Sequence, residues 1–283
     1  MLDCIKYVNS FGDTIEFNKL PYMLQSSDLK DYKWSYSTKN EYNPKIYSFS
    51  RNMVEKKVQI AVIASTKKKY DEYCNRLLEV FEKDIYAVKK GKLIVNDDYY
   101  MEGYFVQKQI KDWYASKVIT NEFVFVSETG KWMKDVYKVF GSSYTPIFSE
   151  DNPDVGFCPN DFPFDFAPAS DANKLVSDSF VPFDFEIVFH GACEDPTLIA
   201  GGKVYRVYTA LEEGEYLTIN SLEKTIVKTK ANGEQVNEFS KRDRENYIFE
   251  KMPATDGRTL MQWQEGCIVS VRSFTERSEP KWI

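Results

Sequence analysis

The groups most able to do chemistry in this chain are the nine carboxylates between positions 150 and 186: Glu150, Asp151, Asp154, Asp161, Asp165, Asp171, Asp178, Asp184 and Glu186. Lys174 is the one base among them, so this stretch is more negative than the whole chain at −6. Paired carboxylates run glycoside hydrolysis, and clustered ones cage calcium. A calcium loop sets its ligands at fixed intervals around a glycine. Here Asp151-Asn152-Pro153-Asp154 has a proline where the chain must curl. Glycosidase carboxylates leave no spacing to recognise, so these acids read as a solvated surface. The chain has one histidine, His190, which argues against imidazole catalysis and His-rich metal sites. Placed between an apolar run and Gly191, it either meets a ligand or is satisfied by neighbouring backbone, and the second reading is taken. Glu128-Thr129-Gly130-Lys131 lacks the upstream glycine of a phosphate-binding loop, and GxGxxG, HExxH and GxSxG patterns are absent. Cys4, Cys74, Cys158, Cys193 and Cys267 are odd in number, with no CxxC spacing. They read as thiols of a protein made in a reducing cytoplasm, each a small buried hydrophobe. Trp34, Trp113, Trp132, Trp263 and Trp282 could stack on sugars, but core or interface positions are the reading taken. No catalytic, cofactor-binding or metal-binding residue is assigned.

The acidic stretch also organises the chain. Prolines at 153, 159, 163, 168 and 182 prevent it from continuing a helix or a central strand. Phe157, Phe162, Phe164, Phe166, Phe180, Phe183 and Phe185 are too many aromatics for a disordered linker. It reads as an ordered junction whose rings dock on folded halves and whose acids stay wet, giving a two-part architecture. At 283 residues the chain is long enough for two domains. The 39 Tyr and Phe residues suit sheets and interfaces. A pI near 5.2 without a basic run argues against nucleic-acid binding. No apolar stretch is long enough to span a bilayer, and the first residues do not form a signal peptide.

Residues 6–8 and 14–17 flank a turn-forming cluster and predict a hairpin. Tyr32, Trp34 and Tyr36 alternate with Asp31, Lys33 and Ser35, predicting a strand with one aromatic face. Residues 58–64 form an apolar run of strand length. Tyr70, Tyr73, Cys74, Leu77, Leu78, Phe81 and Ile85 fall at helical spacing, predicting one amphipathic helix over about 67–86. Residues 92–95 and 100–106 predict another hairpin, and 123–126 a strand. In the second half, Phe183, Phe185, Ile187 and Phe189 alternate inward. Gly201-Gly202 and Asn232-Gly233 mark tight turns, and 204–208, 216–219, 225–227 and 267–274 read as strands. Short strands with turn residues between them mean a sandwich or barrel. The fold class is mainly β, with two β-sandwich-like domains and one helix in the first.

With these elements in order, the chain resembles the distal tail proteins of long-tailed, non-contractile phages. The resemblance rests on residues 9–17 (NSFGDTIEF) followed by Pro21-Tyr22, on 32–36, and on the helix followed by Gly91-Lys92-Leu93 and 96–100. It continues through Gly156-Phe157 with 160–166, then 184–187, His190-Gly191, Asp195-Pro196, 201–205, 214–217 and 276–282. It covers essentially the whole chain, and order and spacing carry it rather than any single motif.

The resemblance implies a non-enzymatic virion protein at the tail tip, made in the host bacterial cytoplasm. An N-terminal ring-forming domain (1–142) would build a hexameric ring, and an acidic junction (143–182) would lead into a galectin-like β-sandwich (183–283). Its partners would be further copies of itself, the tail tube protein, and a tail-tip protein carrying receptor-binding parts. His190 is followed by Gly191-Ala192-Cys193, so the histidine–asparagine–arginine sugar pattern of galectins is absent and no sugar site carries over. Tyr32, Trp34 and Tyr36 are the candidate contact between protomers, with core packing as the alternative. A second function class, a carbohydrate- or receptor-binding β-sandwich acting without a ring, remains open from the residues alone.

Overall fold

The computed structural model describes residues 4–39, 42–96, 98–114, 118–141, 173–177, 179–254, 257–264 and 266–281, with the side chains of 112–114 left out. Residues 142–172, which hold most of the acidic junction and Cys158, lie outside this set, as do Asp178 and Trp282. The chain divides into two compact units, Met1–Lys134 with Glu276–Ile283, and Asp135–Thr275.

The first unit begins with a hairpin of β1 (Ile5–Val8) and β2 (Thr14–Glu16), Tyr7 opposite Ile15, as the turn cluster predicts. β3 (Asn18–Lys19), β4 (Tyr22–Ser27), β5 (Ser35–Lys39), β6 (Lys45–Ser50) and β7 (Val54–Ile63) follow. Helix α1 (Lys67–Ala87) comes next, then β8 (Gly91–Val95), β9 (Tyr99–Tyr114), β10 (Val118–Ser127) and β11 (Trp132–Phe140). The chain passes into the second unit within β11. The pairings described are antiparallel. β9 serves two sheets: its start pairs β8 from Tyr99↔Val95 to Gly103↔Gly91, and the rest pairs β10 from Tyr104↔Val126 onward. Beyond β10 lie β7, β4 and β3; beyond β8 lie β1 and β2. Gly103 sits where β9 changes partners. A Cβ there would be 2.1 Å from the Val126 carbonyl oxygen, so only glycine lets the two backbones approach.

α1 is the predicted helix. Thr66 caps its start by accepting the Lys69 amide at 3.3 Å, and Val88 ends it in the left-handed region at φ 52°. Cys74, Leu77, Val80 and Phe81 are buried against the sheets. Phe81 stacks on Phe105 at 4.2 Å and meets Tyr7 edge-on. Such fully buried rings stabilise by about 2 kcal/mol each through area alone. One stripe position differs from the expectation. Ile85 is exposed, and the buried residue in that last turn is Asp84. Asp84 is held by the Tyr7 hydroxyl at 2.5 Å and by the Ser10 amide and hydroxyl at 2.8 and 2.6 Å. Burial, then the bond to Asp84, raises the Tyr7 phenol far above its usual value. Gly91 lies against this pair, with no room for a Cβ.

The second unit is a two-sheet sandwich. Its elements are β12 (Lys174–Val176), β13 (Asp184–His190), β14 (Cys193–Glu194), β15 (Thr197–Ala200), β16 (Lys203–Arg206) and β17 (Ala210–Leu211). β18 (Tyr216–Asn220), β19 (Thr225–Thr229), β20 (Gln235–Asn237), β21 (Arg258–Trp263) and β22 (Ile268–Arg277) complete it. One sheet runs β20-β19-β18-β13-β22-β11, the other β12-β21-β15-β16. Phe185, Ile187 and Phe189 of β13 point inward, as their alternation predicts, onto Leu198, Tyr205 and Met261 of the facing sheet. Gly201 and Gly202 turn β15 into β16 with φ of 55° and 85°. The acids of this stretch are not all wet. Asp184 is buried, accepts the Ser221 hydroxyl at 3.1 Å and pairs with Lys251 at 2.7 Å. Of the junction rings described, Phe183 and Phe185 are buried while Phe180 is exposed.

Candidate functional site

β5 and β6 form a two-stranded sheet of their own. Ser35 faces Ser50, Tyr36 faces Phe49 and Ser37 faces Ser48, before a bulge shifts the register to Thr38↔Ile46. Serines therefore line one face of the blade and aromatics the other. Tyr36 and Phe49 are 62% and 63% exposed, and Tyr32, Ile46, Tyr47 and Met53 are also bare. An isolated hairpin is marginal in water, and a contiguous exposed apolar face marks an interaction surface.

The root of the blade is fixed within the first unit. The Trp34 ring meets Phe49 edge-on at 6.5 Å, and the Arg51 guanidinium lies 4.3 Å from the centre of the Trp34 ring. The same guanidinium donates to the carbonyls of Gly130 and Arg277 at 3.1 and 3.3 Å, and to the Ser278 hydroxyl. Its pKa is lowered by burial. Lys56 reaches the carbonyls of Asp28 and Asp31, and the Trp132 indole donates to the Leu29 carbonyl at 3.2 Å. Lys131 pairs with Glu276 at 2.6 Å. The anchoring is all at the base.

Of the predicted contact residues, Tyr36 lies on β5, while Tyr32 and Trp34 precede it: the strand starts at Ser35, not at Asp31. Trp34 and Tyr36 both adjoin Phe49, and Tyr32 lines a recess with Arg51 and Lys56. Phe49, Ile46, Tyr47 and Arg51 were missed in the sequence. Tyr47 and Phe49 did leave a signal, alternating with Ser48 and Ser50 behind the turn former Asn43-Pro44, whereas Arg51 left none.

The second unit carries a shallower candidate. A recess of about 380 Å³ lies on β15, β16 and β21, with Thr197, Arg206, Tyr208, Gln262 and Gln264 around it. Arg206 donates to Thr197 at 2.9 Å, and Tyr208 is half exposed. Trp132 and Trp263 are core residues. His190 is satisfied by a side chain rather than backbone: Nε2 lies 3.0 Å from the Ser270 hydroxyl, which also receives the Tyr137 hydroxyl at 3.1 Å. Ser270 is buried, whereas His190 is half-buried and Tyr137 exposed. Among the described residues, no cluster of His, Cys, Asp or Glu is placed to hold a metal, and no helix is long and apolar enough to cross a membrane.

No family model matches the chain, and no curated protein matches it in sequence. Solved structures do match its fold. The Dit hub protein of phage SPP1, described as a paradigm of the hub adsorption apparatus in phages infecting Gram-positive bacteria, aligns at a TM-score of 0.62 and 9% identity. The alignment covers 96% of this chain and 99% of that one. A chain of the phage P2 baseplate, activated with calcium, aligns at 0.56 and 10% identity, covering 99% and 100%. A chain of the strontium-activated baseplate aligns at 0.56 and 12%, covering 98% and 99%. At these identities the likeness is one of fold, and it runs end to end. The chain has the fold of the SPP1 hub protein and of a chain of the phage P2 baseplate.

Proposed function

We propose that this protein is a distal tail hub: a non-enzymatic virion component whose first unit closes into a hexameric ring joining the tail tube to the tail-tip host-recognition apparatus. The observation that carries this reading is the match to the SPP1 hub over 96% of this chain and 99% of that one. The match spans both units rather than a single sandwich domain. The bare aromatic face of the β5–β6 blade supports it, because a closed ring needs a heterologous contact on every protomer. Tyr32, Trp34 and Tyr36, with Phe49, are the proposed protomer contact. The further partners are the tube protein and a tip protein carrying receptor-binding parts. The site of action is the virion tail tip, after synthesis in the bacterial cytoplasm.

Light scattering on the purified chain tests the ring. Six copies of 33.0 kDa give about 198 kDa. A monomer at all concentrations, persisting when tube and tip proteins are added, would refute it. The recess on β15, β16 and β21 favours a second reading, a carbohydrate- or receptor-binding module acting without a ring. Its hydroxyl, amide and guanidinium groups beside the half-exposed Tyr208 ring are the kind that recognise sugars. Saturable glycan-array binding by a monomeric chain, lost on R206A substitution, would support that reading over the ring.

A further inference from the structure

Cys193 and Cys267 are far apart in sequence but adjacent in the second unit. The β13–β22 ladder ends at His190↔Ile268, so Cys267 is the next residue on the β22 side. On the other side the chain runs through Gly191 into β14, where Cys193 pairs with Leu211. A Cβ on Gly191 would be 2.3 Å from the Glu212 carbonyl oxygen and 2.9 Å from the Leu211 Cβ, so the bare glycine lets β14 lie this close. Gln264 braces the arrangement. Its amide donates to the Glu194 carbonyl at 2.9 Å, and its own carbonyl accepts the Cys267 amide at 3.2 Å. Cys267 is buried in the core cluster, and Cys193 packs against that cluster while staying partly exposed.

The two thiols are neighbours, and each shifts the other's titration. The nearby Cys267 lowers the Cys193 pKa, while the nearby Cys193, with burial, raises that of Cys267. The accessible sulfur is thus the one that ionises first, and the buried sulfur waits beside it.

We propose that Cys193 and Cys267 form an oxidative cross-linking site, two thiols as synthesised and one disulfide after contact with a small-molecule disulfide such as oxidised glutathione. The Cys193 thiolate attacks one glutathione sulfur and releases the first glutathione thiolate. Cys267 then attacks the Cys193 sulfur, and its proton leaves with the second glutathione, which departs as the thiol. Two protein thiols are oxidised and one glutathione disulfide is reduced to two thiols. The chemistry does not depend on the hub reading. Its setting does, since a virion part leaves the reducing cytoplasm for an oxidising exterior.

The test is to equilibrate the purified full chain with excess oxidised glutathione, alkylate the remaining thiols, digest without reductant and map the peptides by mass spectrometry. The expected result is a peptide pair joined through Cys193 and Cys267, two fewer titratable thiols in denaturant, and a higher thermal midpoint than the reduced chain. C193S should lose both the linked peptide and the rise in midpoint. C193A serves should the serine impair folding, and the mapping itself needs no variant. A lasting glutathione adduct on Cys193 with Cys267 still alkylated would overturn the proposal, as would two thiols that stay reduced at equilibrium.

Discussion

Arg51 covers Trp34 with its guanidinium carbon 4.3 Å from the ring centre, and the same head group bonds Gly130, Arg277 and Ser278. One side chain thus fixes the base of the β5–β6 blade to two other segments of the first unit. R51A removes a cation–π contact and three hydrogen bonds, and should cost on the order of 2 kcal/mol in urea denaturation. R51K keeps the charge but not the planar fork, and should recover less than half of that loss. Equal stability of the R51A and natural chains would show that the blade is held elsewhere.

Y36E and F49E place charge on the aromatic face of the blade without touching either core. Both residues are more than 60% exposed, so monomer stability should stay within about 0.5 kcal/mol of the natural chain. Ring assembly, read as native mass, should be lost. An intact ring in the double variant would remove this face from the protomer contact.

G91A should be among the most damaging single-methyl additions in the chain. Its Cβ would lie 2.2 Å from the Tyr7 hydroxyl and 2.4 Å from the Asp84 carboxylate. Overpacking of this kind costs roughly 1–3 kcal/mol, and disturbing a buried carboxylate network adds to it. Y7F removes the hydroxyl in the way, so the double variant should lose less than the sum of the singles in chemical denaturation.

Glu215 gives a pH signature. Its carboxylate accepts the Glu212 amide at 2.9 Å and pairs with Lys228 at 2.6 Å; these bonds, the amide first, hold its pKa below the ordinary 4.5. A carboxylate whose folded pKa is depressed contributes stability that is present above the unfolded value and lost as pH falls through the folded one. E215Q should therefore be less stable than the natural chain at neutral pH. The gap should close as pH drops below 4.5. A gap that does not change with pH would assign the loss to packing rather than charge.

Much of the fold was legible in the sequence because period and turn chemistry agree with tertiary packing there. The β13 alternation, the α1 stripe through Phe81 and the Gly201-Gly202 turn are local signals that the core confirms. What was missed depends on partners distant in sequence. Asp84 breaks the helix stripe because Tyr7 and Ser10 are there to receive it. Tyr32 and Trp34 alternate like a strand, yet the chain just before them gives the carbonyls of Leu29 and Asp31 to Trp132 and Lys56 rather than to a ladder. β9 extends to Tyr114 because β10 runs beside it, although its later residues are too polar to announce a strand. At the candidate site the aromatics leading into β5 and on it (Tyr32, Trp34, Tyr36) were visible, and those of β6 were not read. Arg51 was not, since nothing around it signals Ser278.

The first unit closes on itself through residues 276–281, which follow the entire second unit in the chain. A ribosome makes Arg51 and Lys131 long before it makes Ser278 and Glu276. Until those last residues emerge, the base of the blade lacks its final clamps, while every residue of the second unit has already been synthesised. The part of the molecule that is begun first is therefore the part that is finished last. A nascent chain stalled before Glu276 would carry the aromatic blade on an incompletely fastened base. Closure of the first unit is thereby tied to synthesis of the second, because its final contacts wait for residues that follow Thr275.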